Sequence, residues 1–147
     1  MRSIKVSRRI PSAPEKIWAV LADFPNIATW NTGVAKSFAT SDSTSGVGAR
    51  RHCDLTPLGE LEETVQEWDE TRRMVIRIDS AKKLPFANGE ATFILSPEDD
   101  ATEVSINYTY KPRFGLFGQI MGSLALDRQF TKGFNGFLND LDAASRR

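Results

Sequence analysis

The last thirty residues constrain this chain more than any other stretch. Between Leu116 and Arg147, apolar side chains recur at Phe117, Ile120, Met121, Leu124, Phe130, Phe134, Phe137, Leu138 and Leu141. Steps of three and four residues are the repeat of one helical face, and no proline interrupts them. The pattern predicts a helix from Gln119 to Ala144, roughly 39 Å long at 1.5 Å per residue. Gly118, Gly122, Gly133 and Gly136 lie in or beside it, and each interior glycine costs about 1 kcal/mol against alanine. A helix of this length and composition needs a large apolar surface to lie against. The rest of the chain has to supply one.

It does so with strands. Ile4, Val6 and Ile10 alternate with polar neighbours, so residues 3–10 read as a half-buried strand. Pro11-Ser12-Ala13-Pro14 breaks it, and Ser12 is the expected N-cap of a short helix carrying Ile17, Trp18, Val20 and Leu21. Pro25 then divides that helix from a second short one reaching Trp30. Six further strands are expected at 34–40, 49–55, 60–68, 74–79, 90–95 and 102–110, with residues 80–88 as a loop and 96–101 as a hairpin connection. Seven strands are close to the size at which twist curls a sheet, and a curled sheet has a concave face that one long helix can cover. The expected class is α+β: one domain, 1–147, in which a seven-stranded antiparallel sheet wraps the C-terminal helix, with two short helices after strand 1.

Composition excludes several functions. Nineteen basic and nineteen acidic residues leave no net charge, so no footprint for nucleic acid or an anionic membrane is present. One cysteine, Cys53, and one histidine, His52, rule out an intramolecular disulfide, a thiolate cluster and a multi-histidine metal site. No metal or cofactor is expected. No run approaches 18 apolar residues, so no integral membrane segment is expected, and the N-terminus has no signal-peptide core. A cytoplasmic protein follows. The residues set no oligomeric state.

Several motifs together resemble a known family. Ala13-Pro14-Glu15-Lys16-Ile17-Trp18-Ala19-Val20-Leu21-Ala22-Asp23-Phe24-Pro25-Asn26, then Trp30-Asn31, resembles the opening signature of polyketide cyclase/dehydrase-like proteins of the START/Bet v 1-like, helix-grip superfamily (SRPBCC). The glycine turn Gly46-Val47-Gly48-Ala49-Arg50, the segments Leu61–Val65 and Trp68-Asp69, and Tyr108-Thr109-Tyr110-Lys111-Pro112 follow in the family's order. The resemblance spans essentially the whole chain. It implies a seven-stranded sheet gripping the C-terminal helix, a cavity between them, and short helices guarding its mouth. It also implies a hydrophobic small-molecule ligand, lipid or polyketide-like. The readings are a carrier, a cyclase or dehydratase enzyme, and a protein-interaction module; a shared fold does not choose among them.

Three titratable residues are worth testing for catalysis. Alternation puts Arg50, His52 and Asp54 on one strand face and Arg51, Cys53 and Leu55 on the other, and the apolar Cys53 and Leu55 favour His52 facing outward. Glu63 and Glu67 share a face with Leu61 and Val65, where a carboxylate could act as a general acid or pair with Arg77. Asp127 interrupts the helix stripe, facing either a ligand or water. The expected cavity wall comprises Trp30, Phe38, Leu61, Glu63, Met74, Ile76, Phe93, Tyr108, Tyr110, Met121, Leu124 and Phe134, with the two tyrosines and Glu63 as polar anchors. The arginine and lysine doublets, Arg50-Arg51 among them, read as solvated surface.

Overall fold

The computed structural model describes the backbone of residues 2–84, 86–112 and 116–147, and their side chains apart from 86–87 and 116–123. Strand β1 (Arg2–Ile10) leads into α1 (Pro14–Ala22) and a 3-10 turn (Phe24–Thr29). The strands β2 (Val34–Ala39), β3 (Arg50–Leu55), β4 (Glu60–Asp69), β5 (Arg73–Lys82), β6 (Phe86–Glu98) and β7 (Ala101–Pro112) follow, and α2 (Leu116–Ser145) comes last. The strands form one sheet in the order β1-β7-β6-β5-β4-β3-β2, every neighbouring pair antiparallel. Val104, Ile106, Tyr108 and Tyr110 of β7 turn one face of the sheet into a buried apolar surface, and Leu126, Phe137, Leu138 and Leu141 of α2 are buried in the same core. The fold is the α+β helix grip.

Local chemistry accounts for where the elements depart from expectation. Ser12 does not cap α1; Ala13 stands at the N-cap with no side-chain hydrogen bond, and Pro14 begins the helix. The Ser12 hydroxyl instead lies 3.1 Å from that of Ser145, at the end of α2, while its carbonyl accepts a 2.8 Å bond from Thr102. Of residues 80–88, expected as a loop, 80–82 belong to β5 and 86–88 to β6. β6 pairs with β7 from Phe86↔Pro112 to Glu98↔Ala101, and that ladder overrides the local turn preference of Asn88-Gly89. Gly89 is needed for a different reason. A Cβ there would stand 2.6 Å from the Tyr108 hydroxyl, so only glycine lets the phenol lie across β6.

A bulge sets the face of β4. Glu63↔Ile78, Thr64↔Arg77 and Val65↔Ile76 pair regularly, but the register then jumps to Glu67↔Val75, leaving Gln66 extra. One added residue reverses the side of everything beyond it. Glu67, expected beside Glu63, is therefore exposed and bonded to Arg73 at 2.8 Å. Trp68 turns inward and meets Trp18 edge-on, with ring centroids 5.4 Å apart.

Two ion pairs lace α2 to the edge strand. Arg2 binds Asp127, with Nε at 3.1 Å, and Arg8 binds Asp142 at 2.9 Å. Six strand residues separate the arginines, roughly 20 Å, and fifteen helical residues separate the aspartates, roughly 22 Å. The two rises match, so β1 and α2 run alongside one another without strain at either end. Thr32 adds a third tie, its amide and hydroxyl both donating to Asp140 at 2.9 Å.

Candidate functional site

Alternation along the strands aims one set of side chains at α2, and between them lies a cavity of about 330 Å³. That is at the small end of ligand-sized pockets. Its floor comes from Arg51, Cys53 and Leu55 of β3, Leu61 and Glu63 of β4, Ile76 and Ile78 of β5, Ala91 and Phe93 of β6, and Tyr108 of β7. Leu126, Gln129, Phe130, Gly133, Phe134 and Phe137 of α2 form its roof. Ile27, Asn31 and Val34 complete the lining beside β3. At the rim, Thr56, Pro57 and Leu58 are exposed, as is Gly33, whose carbonyl accepts from the Thr56 amide at 3.0 Å, and so are Gln129 and Gly133 of α2. Those residues mark the mouth. A Cβ built on Gly133 would meet nothing within 4 Å, so this glycine leaves roof volume open.

One buried ion pair interrupts the apolar lining. Arg51 and Glu63 face each other across the β3–β4 ladder, and Nε of Arg51 donates to Glu63 Oε1 at 2.9 Å. Both residues are buried, Arg51 at 5% exposure and Glu63 at 8%. Nη1 of Arg51 donates to the Phe24 carbonyl at 2.9 Å, and its guanidinium lies 3.9 Å from the centre of the Phe24 ring. The Cys53 thiol donates to the same Glu63 oxygen at 3.4 Å. Burial, then the Glu63 charge, pushes the Cys53 thiol well above its ordinary range, so it stays protonated and is no nucleophile. The same two causes raise the Tyr108 phenol.

The other candidate acids and bases lie elsewhere. His52 is on the opposite face of β3 from the cavity, as Cys53 and Leu55 implied, with Phe38 stacked on its ring at 4.9 Å. Its Nδ1 faces Glu62 and its Nε2 bonds Asp54 at 2.7 Å, and these two hydrogen bonds raise its pKa. Among the described residues, His52, Asp54 and Glu60 form the one group with metal-ligating make-up, their ligand atoms within 4.8 Å of one another. An imidazolium bonded to Asp54 and Glu62, with Glu60 3.8 Å from Nε2, accounts for that geometry. Asp127 does not line the cavity. It accepts from Arg2 and, at 2.5 Å, from the Tyr110 hydroxyl, and the Arg2 bond holds its carboxyl below the usual range. Burial, then the bond to Asp127, pushes Tyr110 up to about 12.

Of the expected wall, Leu61, Glu63, Ile76, Phe93, Tyr108 and Phe134 meet around the cavity. Phe38 does not: it is 44% exposed on the far side of the sheet, because it pairs with His52. Leu124 is 57% exposed, since it falls about 200° round the helix from the buried Leu126. Trp30 turns away to pack edge-on against Phe137, 5.0 Å between centroids, while its neighbour Asn31 faces the cavity. Met74 is buried behind the cavity, and Tyr110 is held by Asp127. Met121 lies outside the described side chains. The pairing of Glu63 with Arg77 is corrected as well: Arg77 is exposed and bonds Asp79, and Arg51 is the partner.

A family model described as polyketide cyclase/dehydrase and lipid transport matches residues 1–146. The chain belongs to this family. Among solved structures, a protein from Thermus thermophilus aligns over 98% of this chain and 97% of its own, at 19% identity and a TM-score of 0.82. A START superfamily protein from Mycobacterium smegmatis aligns over 98% and 97%, at 12% identity and 0.80. The Zhui aromatase/cyclase from a Streptomyces aligns over 99% and 94%, at 14% identity and 0.80. At these identities the likeness is one of fold. No curated protein matches the chain in sequence.

Within this polyketide cyclase/dehydrase-family chain, the largest site feature that sequence reading missed is Arg51. Its doublet with Arg50 reads as solvated surface, whereas alternation puts it beside Cys53 and Leu55, on the face that meets α2. Among the described residues, no helix is long and apolar enough to cross a membrane.

Proposed function

We propose that this protein binds a hydrophobic small molecule of lipid or polyketide type between the sheet and α2. The observation that carries this reading is an apolar cavity, open at one rim, whose described lining holds one internally paired Arg–Glu. Burial of ligand surface against such walls is worth about 25 cal/mol per Å², and the few polar groups set orientation.

Binding is favoured over turnover by the placement of the titratable groups. General acid–base chemistry needs a proton-transferring group within hydrogen-bond reach of a common substrate atom. His52 lies on the opposite face, Asp127 is engaged by Arg2 and Tyr110, and the Cys53 thiol is kept protonated. Glu63 is held by Arg51. The cyclase or dehydratase reading therefore rests on family membership and on Glu63, the one carboxylate of the described lining.

Native mass spectrometry of the purified protein, before and after solvent extraction, tests the proposal. The expected result is a bound mass that extraction removes and that a Gly133→Phe variant, with a ring in the roof space, does not carry. A protein that carries no ligand and takes up no apolar fluorophore would sink it.

A further inference from the structure

The cavity's charge arrangement narrows the chemical class of the ligand. We infer that the site selects a neutral amphiphile whose polar end both donates and accepts one hydrogen bond, an alcohol or phenol, over a carboxylate of the same length. This deepens the proposed binding function and rests on it.

The argument starts from what the ion pair has left to offer. Nε of Arg51 is used by Glu63 Oε1, Nη1 by the Phe24 carbonyl, and Cys53 adds its thiol to that same carboxylate oxygen. Among the described residues, Nη2 of Arg51 and Oε2 of Glu63 take no hydrogen bond. Unused N–H donors of Arg51 and unused lone pairs of Glu63 thus stand on neighbouring side chains of the cavity floor. A hydroxyl satisfies both at once, accepting from Nη2 and donating to Oε2. An ether oxygen can satisfy only the first.

Charge excludes the commoner lipid head. The described lining holds one positive and one negative side chain, and they are paired, so among the described residues it carries no spare charge. A carboxylate entering it would sit beside Glu63 in a low-dielectric space, where two like charges disfavour one another strongly. An ammonium would meet Arg51 in the same way. The remaining lining polar groups, Asn31, Thr56, Gln129 and Tyr108, are uncharged.

The test is displacement of phenylnaphthylamine, a neutral fluorophore, by n-decanol, decyl methyl ether and decanoate at pH 8. Decanol is expected to bind at least about tenfold more tightly than either, the scale of one hydrogen bond to a charged group. A Glu63→Gln variant, nearly isosteric and checked for folding by circular dichroism, leaves Arg51 uncompensated and is expected to shift the preference to decanoate. Equal binding of the three compounds, or decanoate binding best to the unmodified protein, overturns the inference and leaves the cavity-binding proposal standing. Failure of phenylnaphthylamine and all three compounds to bind overturns both.

Discussion

At the scale of single residues, the Arg51–Glu63 pair carries the most consequence. Removing one partner from a buried pair leaves an uncompensated charge, typically at a cost of 3–5 kcal/mol, whereas replacing both with apolar groups is often neutral. Arg51→Met should therefore lower the urea midpoint by an amount equivalent to about 3–5 kcal/mol, and Arg51→Met with Glu63→Leu should recover most of it. His52 behaves differently because its partners lie at the surface. Its folded pKa is raised by Glu62 and Asp54, so the imidazolium bonds contribute fully below the ordinary histidine value of about 6.5 and fade as pH rises through the folded value. His52→Gln should reduce the melting temperature more at pH 5.5 than at pH 9. An equal loss at both would show that the ion pairs contribute nothing.

At the scale of elements, α2 has two kinds of attachment. Leu138 and Leu141 are buried to 1% and 0% exposure, while Leu124 stands in solvent. Leu141→Ala should cost about 2–5 kcal/mol and Leu124→Ser under about 0.5, measured by chemical denaturation. The second attachment is ionic. Burial raises the Asp142 carboxyl, but the bonds from Arg146 and Arg8 outweigh it, and the net pKa is lowered. A depressed carboxylate contributes stability above its unfolded pKa near 3.9 and loses it as pH falls through the folded value. Asp142→Asn should thus destabilise the protein at pH 7, by about 1–3 kcal/mol, and the gap from the unmodified protein should close on titration toward pH 2. The strands show the matching lesson about elements. Gln66 and Gly89 each look unremarkable, yet one reverses the face of β4 and the other admits the Tyr108 ring.

At the scale of the whole molecule, the sheet and α2 enclose a space that their own side chains do not fill. Ligand in excess should stabilise the folded state by mass action, about 2.7 kcal/mol at a hundred times Kd. A melting temperature that rises with n-decanol concentration, and rises less for Gly133→Phe, is the expected outcome. Hydrophobic periodicity and the proline breaks determined the seven strands, the two short helices and the long C-terminal helix, because period 2 and period 3.6 are local properties of the chain. The family resemblance implied the helix grip. Alternation also grouped Arg51, Cys53 and Leu55 on one side of β3. Which side faces α2, which cation meets Glu63, and which stretch of the helix stripe becomes cavity roof were decided only in three dimensions. Alternation defines two faces without saying which is inward, and a cross-strand partner depends on register, which one bulge resets. Phe38 faces outward and Arg51 inward for that reason, while Leu124 faces outward because it lies about 200° round α2 from the buried Leu126.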